Sequence, residues 1–187
     1  MGKFEYLSVL ISIIVGLGLS HLLSSTARLI QLRRRIEWHW PTALWMLFLF
    51  IALIQIWWVA FERSTRTDWQ FFAFLLYLGI PVGAFLLSFL IVPDLNEPNG
   101  TDLRASFNEN RVWLYGILGA LVLISLVDES VVDGRLPTDA DALFRLSSLG
   151  LLVLGLIFRG NRAQTIISAA ILGGFVLYVL RLFLWLA

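Results

Sequence analysis

Apolar residues in this chain come in long, nearly unbroken runs rather than in alternation or in a one-sided helical stripe. Six runs of about 17 to 24 residues lie at 6–29, 41–61, 69–92, 112–127, 142–158 and 163–184, separated by short charged segments. A helix rises about 1.5 Å per residue and needs about 20 residues to cross a hydrocarbon core of about 30 Å. The pattern therefore predicts an all-α fold, a polytopic transmembrane helical bundle of about six spanning helices in a single domain, 1–187. The fifth run is short, so that helix must stand nearly upright or sit in thinned bilayer. Five spans with one re-entrant or surface-lying segment is the alternative.

The residues between the runs agree with these boundaries. Pro41 suits the first turn of a helix, where its missing N–H has no helical acceptor to lose, and Pro93 and Pro98 close the third run. Thr101 or Asp102 can cap a helix start, and Leu103, Phe107 and Leu114 are spaced for an apolar stripe. This predicts a helix over 102–111 along the inner surface before the chain turns into the fourth span. Within the third run, Gly79-Ile80-Pro81-Val82-Gly83 predicts a kink, because proline removes the donor that the carbonyl four residues earlier would use.

Composition narrows the function classes. The 187 residues are 59% hydrophobic and 14% charged, against about 25% charged in ordinary soluble domains. The net charge of +1 and the placing of basic residues at run ends argue against nucleic acid as a partner. The absence of cysteine removes disulfides, thiolate metal sites and cysteine nucleophiles.

Arginine and lysine placement sets the expected threading. With the N-terminus outside, the inner side collects Arg28, Arg33, Arg34, Arg35, Arg104, Arg111, Arg159 and Arg162, and the outer loops hold Lys3, Arg63, Arg66 and Arg135. Both termini are then outside. Trp38, Trp40, Trp45 and Trp113 fall near the inner boundary, and Trp57, Trp58, Trp69 and Trp185 near the outer one, as expected of amphipathic rings at the headgroup level. The first run is read as a retained helix, since its positive charges follow the run instead of preceding it.

One row in the first run stands out. Ser8, Ser12, Gly16, Ser20 and Ser24 recur every four residues and wind slowly along one ridge of the helix. Helices in lipid associate by close backbone approach over small residues and by interhelical hydrogen bonds. The row therefore predicts a helix-packing groove, with matching surfaces at Gly116 in the fourth span and Gly173-Gly174 in the sixth, so that the first span packs against the fourth or sixth.

Polar groups inside a bilayer are costly and each is a candidate site. The candidates are His21, Gln55 and Pro81, with Asp128, Arg145 and Arg181 at the outer end. His21 and Gln55 differ in depth and are not expected to cluster. Arg145 and Arg181 lie about one turn inside the outer boundary, where they can snorkel outwards, and Asp141 to Arg145 has the spacing of a surface ion pair. The bolder reading is an outer vestibule in which Arg145 and Arg181 meet an anionic group beside Asp128. All Asp and Glu residues fall at run ends or in loops, which disfavours ion-coupled transport. Ser20 adjoins His21 and cannot take a proton to it as a nucleophile must, and His21 and His39 differ too much in depth for bis-histidine haem.

The string Glu5-Tyr6-Leu7-Ser8-Val9-Leu10 through Gly18-Leu19-Ser20-His21-Leu22-Leu23, with Trp57-Trp58 and Asn110-Arg111-Val112-Trp113, resembles a group of small bacterial multi-pass inner-membrane proteins of unassigned function. The resemblance implies a bacterial inner membrane and carries no active residues across. The expected function is a non-catalytic membrane subunit, without cofactor or metal, that packs against a membrane protein partner, against copies of itself, or around lipid of the bilayer. The alternative is a small channel or carrier for an uncharged or anionic solute.

Overall fold

The computed structural model describes residues 3–62, 71–92, 101–133 and 140–184, and within these the chain is almost wholly helical. The helices are α1 (Lys3–Gln31), α2 (Trp40–Glu62), α3 (Phe71–Ile91), α4 (Leu103–Asp133), α5 (Ala140–Ile157) and α6 (Asn161–Leu184). Two short strands, β1 (Ile36–Glu37) and β2 (Thr101–Asp102), pair in parallel, Ile36 with Thr101 and Glu37 with Asp102. This bridge ties the α1–α2 connection to the start of α4. The fold is an all-α bundle, and among the described residues five helices, all but α5, are long and apolar enough to cross a membrane.

The helices pack in a closed order. α2, α3, α4, α5 and α6 each touch the next, and α6 returns to α2, making a five-helix ring; α1 lies outside it across α2 and α3. The first span therefore packs against the second and third, not the fourth or sixth. Its inward stripe is Ile11, Val15, Gly18, Leu22, Ser25 and Leu29. A Cβ added at Gly18 would stand 3.1 Å from Leu53 of α2 and 3.7 Å from the Phe85 backbone of α3, so this glycine is where the three helices come together.

The small-residue row points the other way. Ser12, Gly16, Ser20 and Ser24 are exposed, as are Gly116 and Gly173, and nothing lies within 4 Å of a Cβ built on Gly16, Gly116 or Gly173. Gly174 is half-buried, with Phe144 at 3.6 Å. The exposed residues of the set therefore face away from the bundle, and Gly174 alone packs against a neighbouring helix. The reason is that lipid and protein core are equally apolar, so a run of leucines and valines fits either side, and small residues alone do not mark the inward face.

The segment 102–111 is likewise not a separate surface helix. It forms the first turns of α4, which continues without interruption to Asp133. Asp102 caps that helix, its Oδ1 accepting the amides of Arg104 at 2.8 Å and Ala105 at 3.1 Å. Leu103, Phe107 and Leu114 are buried along one stripe, so the start of α4 is anchored in protein. Pro41 lies in the first turn of α2, and Pro81 is accommodated inside a helix that runs on to Ile91. Trp38, Trp40, Trp57, Trp58 and Trp113 are exposed as interfacial residues would be; Trp45 is instead a core residue, edge-on to Phe48 and Tyr115 at 5.9 and 5.2 Å. Pro93, Pro98, Trp69 and Trp185 lie outside the described residues.

Candidate functional site

Within the ring lies a half-open cavity of about 430 Å³, lined by all five of its helices and not by α1. The chain direction orders its lining by depth. α2, α4 and α6 run from the end rich in arginine towards the end carrying Asp128, and α3 and α5 run back. Nearest the arginine-rich end the wall is Phe48, Leu49, Ala84, Leu87, Leu118, Leu152 and Ile171. One turn further come Ala52, Ile56, Ile80, Leu121 and Phe175. The polar lining residues, Gln55, Tyr77, Ser125, Asp128, Arg145, Ser148 and Tyr178, all lie towards the opposite end. The site is a deep apolar pocket with one polar end, the usual composition of a small-molecule site.

Aromatic packing shapes its walls. Phe144 and Tyr178 stack at 4.5 Å with their planes 5° apart, joining α5 to α6, and Phe48 meets Phe175 edge-on at 5.0 Å, joining α2 to α6. Such contacts hold side chains in fixed rotamers and keep a void from collapsing.

Two charged groups belong to the polar end. Asp128, expected in a loop just beyond the fourth span, lies within α4 and is only 2% exposed. The drop in hydropathy at Asp128-Glu129 resembles a helix end, but the helix continues for more than a turn beyond it. Arg145 is half-buried and reaches across to α4. Its Nη1 donates to the Ser125 carbonyl of α4 at 3.2 Å, across the cavity rim. Arg181 is exposed on α6 and does not line the cavity, so the vestibule keeps Asp128 and Arg145 and loses Arg181. Gln55 joins them, Pro81 is buried beside the wall without forming it, and His21 sits outside the ring.

His21 belongs to the α1–α3 contact. Its imidazole stacks on Phe89 at 3.7 Å with a 13° interplanar angle, and its Nε2 lies 3.5 Å from Ser25 Oγ. A serine at that limiting distance, with the ring face covered by phenylalanine, is held as a packing pair. As expected, His21 and Gln55 do not cluster.

A second polar group, which the sequence reading missed, lies towards the arginine-rich end. Arg111, 4% exposed, donates from Nη1 to the carbonyls of Gly155 at 2.9 Å, Leu156 at 3.0 Å and Phe158 at 3.2 Å. These are among the carbonyls that the end of α5 leaves without helical donors. Gln164 of α6 donates to the carbonyls of Gly155, at 2.9 Å, and Phe158, and its Oε1 accepts the Tyr115 hydroxyl at 2.8 Å. Trp45 Nε1 and Ser168 Oγ, both buried, face the same hydroxyl without reaching hydrogen-bond geometry. Asn110 donates to the Leu90 carbonyl of α3 at 3.1 Å. Thus the neighbours Asn110 and Arg111 complete the C-terminal ends of two different helices. A glutamine and a tyrosine at one level of two spans was the available signal; Gln164 lies so near the start of its helix that it reads as a boundary residue.

Outside this floor, His39 joins the starts of α2 and α6. Its Nδ1 is 3.0 Å from Thr42 Oγ1 and its Nε2 2.9 Å from Asn161 Oδ1, an arrangement that suits a neutral ring donating from Nε2 and accepting from the threonine hydroxyl. Burial lowers its pKa from the ordinary value of 6.5, an effect that Arg104 reinforces and that Asn161 and Asp102 oppose.

Among the described residues no group of three or more His, Asp or Glu side chains could hold a metal ion. Comparison of the chain with models of protein families, with curated proteins and with solved structures finds no match to any of the three.

Proposed function

We propose that this chain is a non-catalytic integral membrane protein whose work is to hold a small, mostly apolar molecule inside the bilayer. The observation that carries this reading is the 430 Å³ cavity inside the five-helix ring, apolar along most of its depth and polar at one end. Two features support it. The hydrogen-bonded floor of Arg111, Tyr115 and Gln164 joins α4, α5 and α6 beneath the cavity, which favours a binding pocket over an open channel. The polar lining residues provide hydrogen bonds and charge at one end of an otherwise apolar wall, the usual composition of a binding site. The arginine bias between loops, with the resemblance drawn from the sequence, favours a bacterial inner membrane with both termini outside.

Native mass spectrometry of the chain extracted from its expression membrane in mild detergent tests this reading. The expected spectrum shows one retained small molecule per chain, lost when Leu118→Trp fills the pocket. A chain that carries nothing, before or after incubation with apolar compounds, would contradict it.

Assembly with a partner or with a second copy is the other reading, and one observation favours it. The row Ser12, Gly16, Ser20 and Ser24 lies exposed on α1, where a helix from another molecule could approach closely.

A further inference from the structure

Three segments far apart in the sequence meet at the arginine-rich end, and His39 is where they join. Its Nε2 lies 2.9 Å from Asn161 Oδ1, which brings the start of α6, with Arg159 and Arg162 close on either side of that asparagine, beside the start of α2. The parallel bridge sets Ile36 against Thr101 and Glu37 against Asp102, so Arg35 directly precedes one strand and Arg104 closely follows the other. The charges of Arg104 and Asp102 both act on the His39 ring, which puts the first turn of α4 at the same place.

This end carries more positive charge than its own groups neutralise. Arg33, Arg34, Arg35, Arg104, Arg159 and Arg162 are all exposed, and among the described residues none of them makes an ion pair. The described acidic residues on the same segments are Glu37, Asp102 and Glu109, and the Asp102 Oδ1 already accepts two amides at the start of α4. Threading accounts for arginine in each loop separately, whereas the convergence of three segments on one patch is a tertiary feature. Unpaired cations gathered at a surface attract an anion.

The neighbouring aromatic rings indicate which anion. Trp38 and Trp40 flank His39, both exposed, with their rings 6.2 Å apart and edge to face, and the exposed Phe158 directly precedes Arg159. Indole rings at the end of a span lie at the headgroup level, the depth of the lipid phosphates. A free anion leaves those rings uncovered. A phospholipid brings a phosphate to the guanidinium groups and its glycerol and upper acyl chains to the rings, and basic residues clustered beside a span attract anionic lipid.

We infer that the surface around His39, framed by Arg35, Arg104 and Arg162, is a docking site for the headgroup of an anionic phospholipid, with Trp38 and Trp40 against its glycerol and upper chains.

The test titrates two lipids with the same dioleoyl tails, phosphatidylglycerol and phosphatidylcholine, into the full chain in detergent and counts retained lipid by native mass spectrometry. Phosphatidylglycerol is expected to bind with an apparent Kd at least about ten-fold lower than phosphatidylcholine. Arg104→Gln combined with Arg162→Gln should erase that preference at an unchanged unfolding midpoint, and Arg35→Gln alone should weaken it. Arg181→Gln, which removes an exposed arginine of α6 outside the patch, and Leu118→Trp, which fills the cavity, should both keep it. Equal retention of the two lipids would overturn the inference. A preference that survives the double substitution, or that is lost as fully in Arg181→Gln or Leu118→Trp, would overturn the assignment to this patch, and displacement of the lipid by millimolar inorganic phosphate would give the patch to a free anion instead.

Discussion

The guanidinium of Arg111, on α4, lies 2.9 Å from the carbonyl oxygen of Gly155, on α5, and the ring of Tyr115, one turn further along α4, packs directly on the same glycine. One residue thus serves as both hydrogen-bond acceptor and close-contact surface. Bare of a side chain, Gly155 lets α4 approach closely enough for Arg111 to reach the last carbonyls of α5.

Removing the cation should leave those carbonyls buried without donors. Arg111→Ala is expected to destabilise the bundle by about 3 kcal/mol, in the range for a buried charged partner of several hydrogen bonds. Arg111→Lys should recover part of this, because an ammonium keeps the charge and reaches fewer acceptors. Unfolding of the detergent-solubilised chain by denaturing surfactant measures both.

Two glycines should behave in opposite ways. A Cβ at Gly155 would collide with the Tyr115 ring, which its own hydroxyl holds against Gln164, so Gly155→Ala is expected to cost about 1–3 kcal/mol. Gly16→Leu meets nothing within the chain and should leave the unfolding midpoint unchanged. If Gly16→Leu changes anything, it should be the apparent mass by size-exclusion light scattering, the signature of contacts between molecules. A loss of monomer stability equal to that of Gly155→Ala would contradict the outward placing of the row.

His39 gives stability a dependence on pH. Its pKa in the fold lies below 6.5, so the unfolded chain takes up a proton first as pH falls. The contribution is fully present above about pH 6.5 and is lost as pH drops from there through the folded value, by at most about 1.4 kcal/mol per pH unit. His39→Gln should flatten the unfolding profile between pH 7 and 5, although Asp102 and Arg104, which act on the same ring, remain. An unchanged slope would show that the histidine does not titrate differently in the two states.

Much of the architecture was legible in the run lengths. The helical class, the positions of the helices and the caps at Pro41 and Asp102 follow from local chemistry. What remained hidden was which face of each helix turns inward. In a soluble protein, water separates the two faces. Here Val15, which is buried, and Leu17, which is exposed, are equally comfortable in lipid, so Gly18 and Gly16 could not be told apart as contact residues. Asp128 and Arg145, which the sequence puts at the ends of their runs, both line the polar end of the cavity. The floor around Arg111 and Gln164 was missed because its members lie 53 residues apart on helices whose order around the ring is a tertiary fact.

The claim that the ring holds a ligand is tested most directly by photolabelling in membranes. A twelve-carbon hydrocarbon carrying a diazirine near one end would be activated in vesicles containing the chain, and the labelled peptides mapped. Saturable labelling of the Leu118 and Leu152 regions, competed by the same hydrocarbon without the diazirine and absent in Leu118→Trp, is the predicted result. Labelling confined to lipid-facing residues such as Ile13, Leu17 and Leu177, without saturation or competition, would contradict the account.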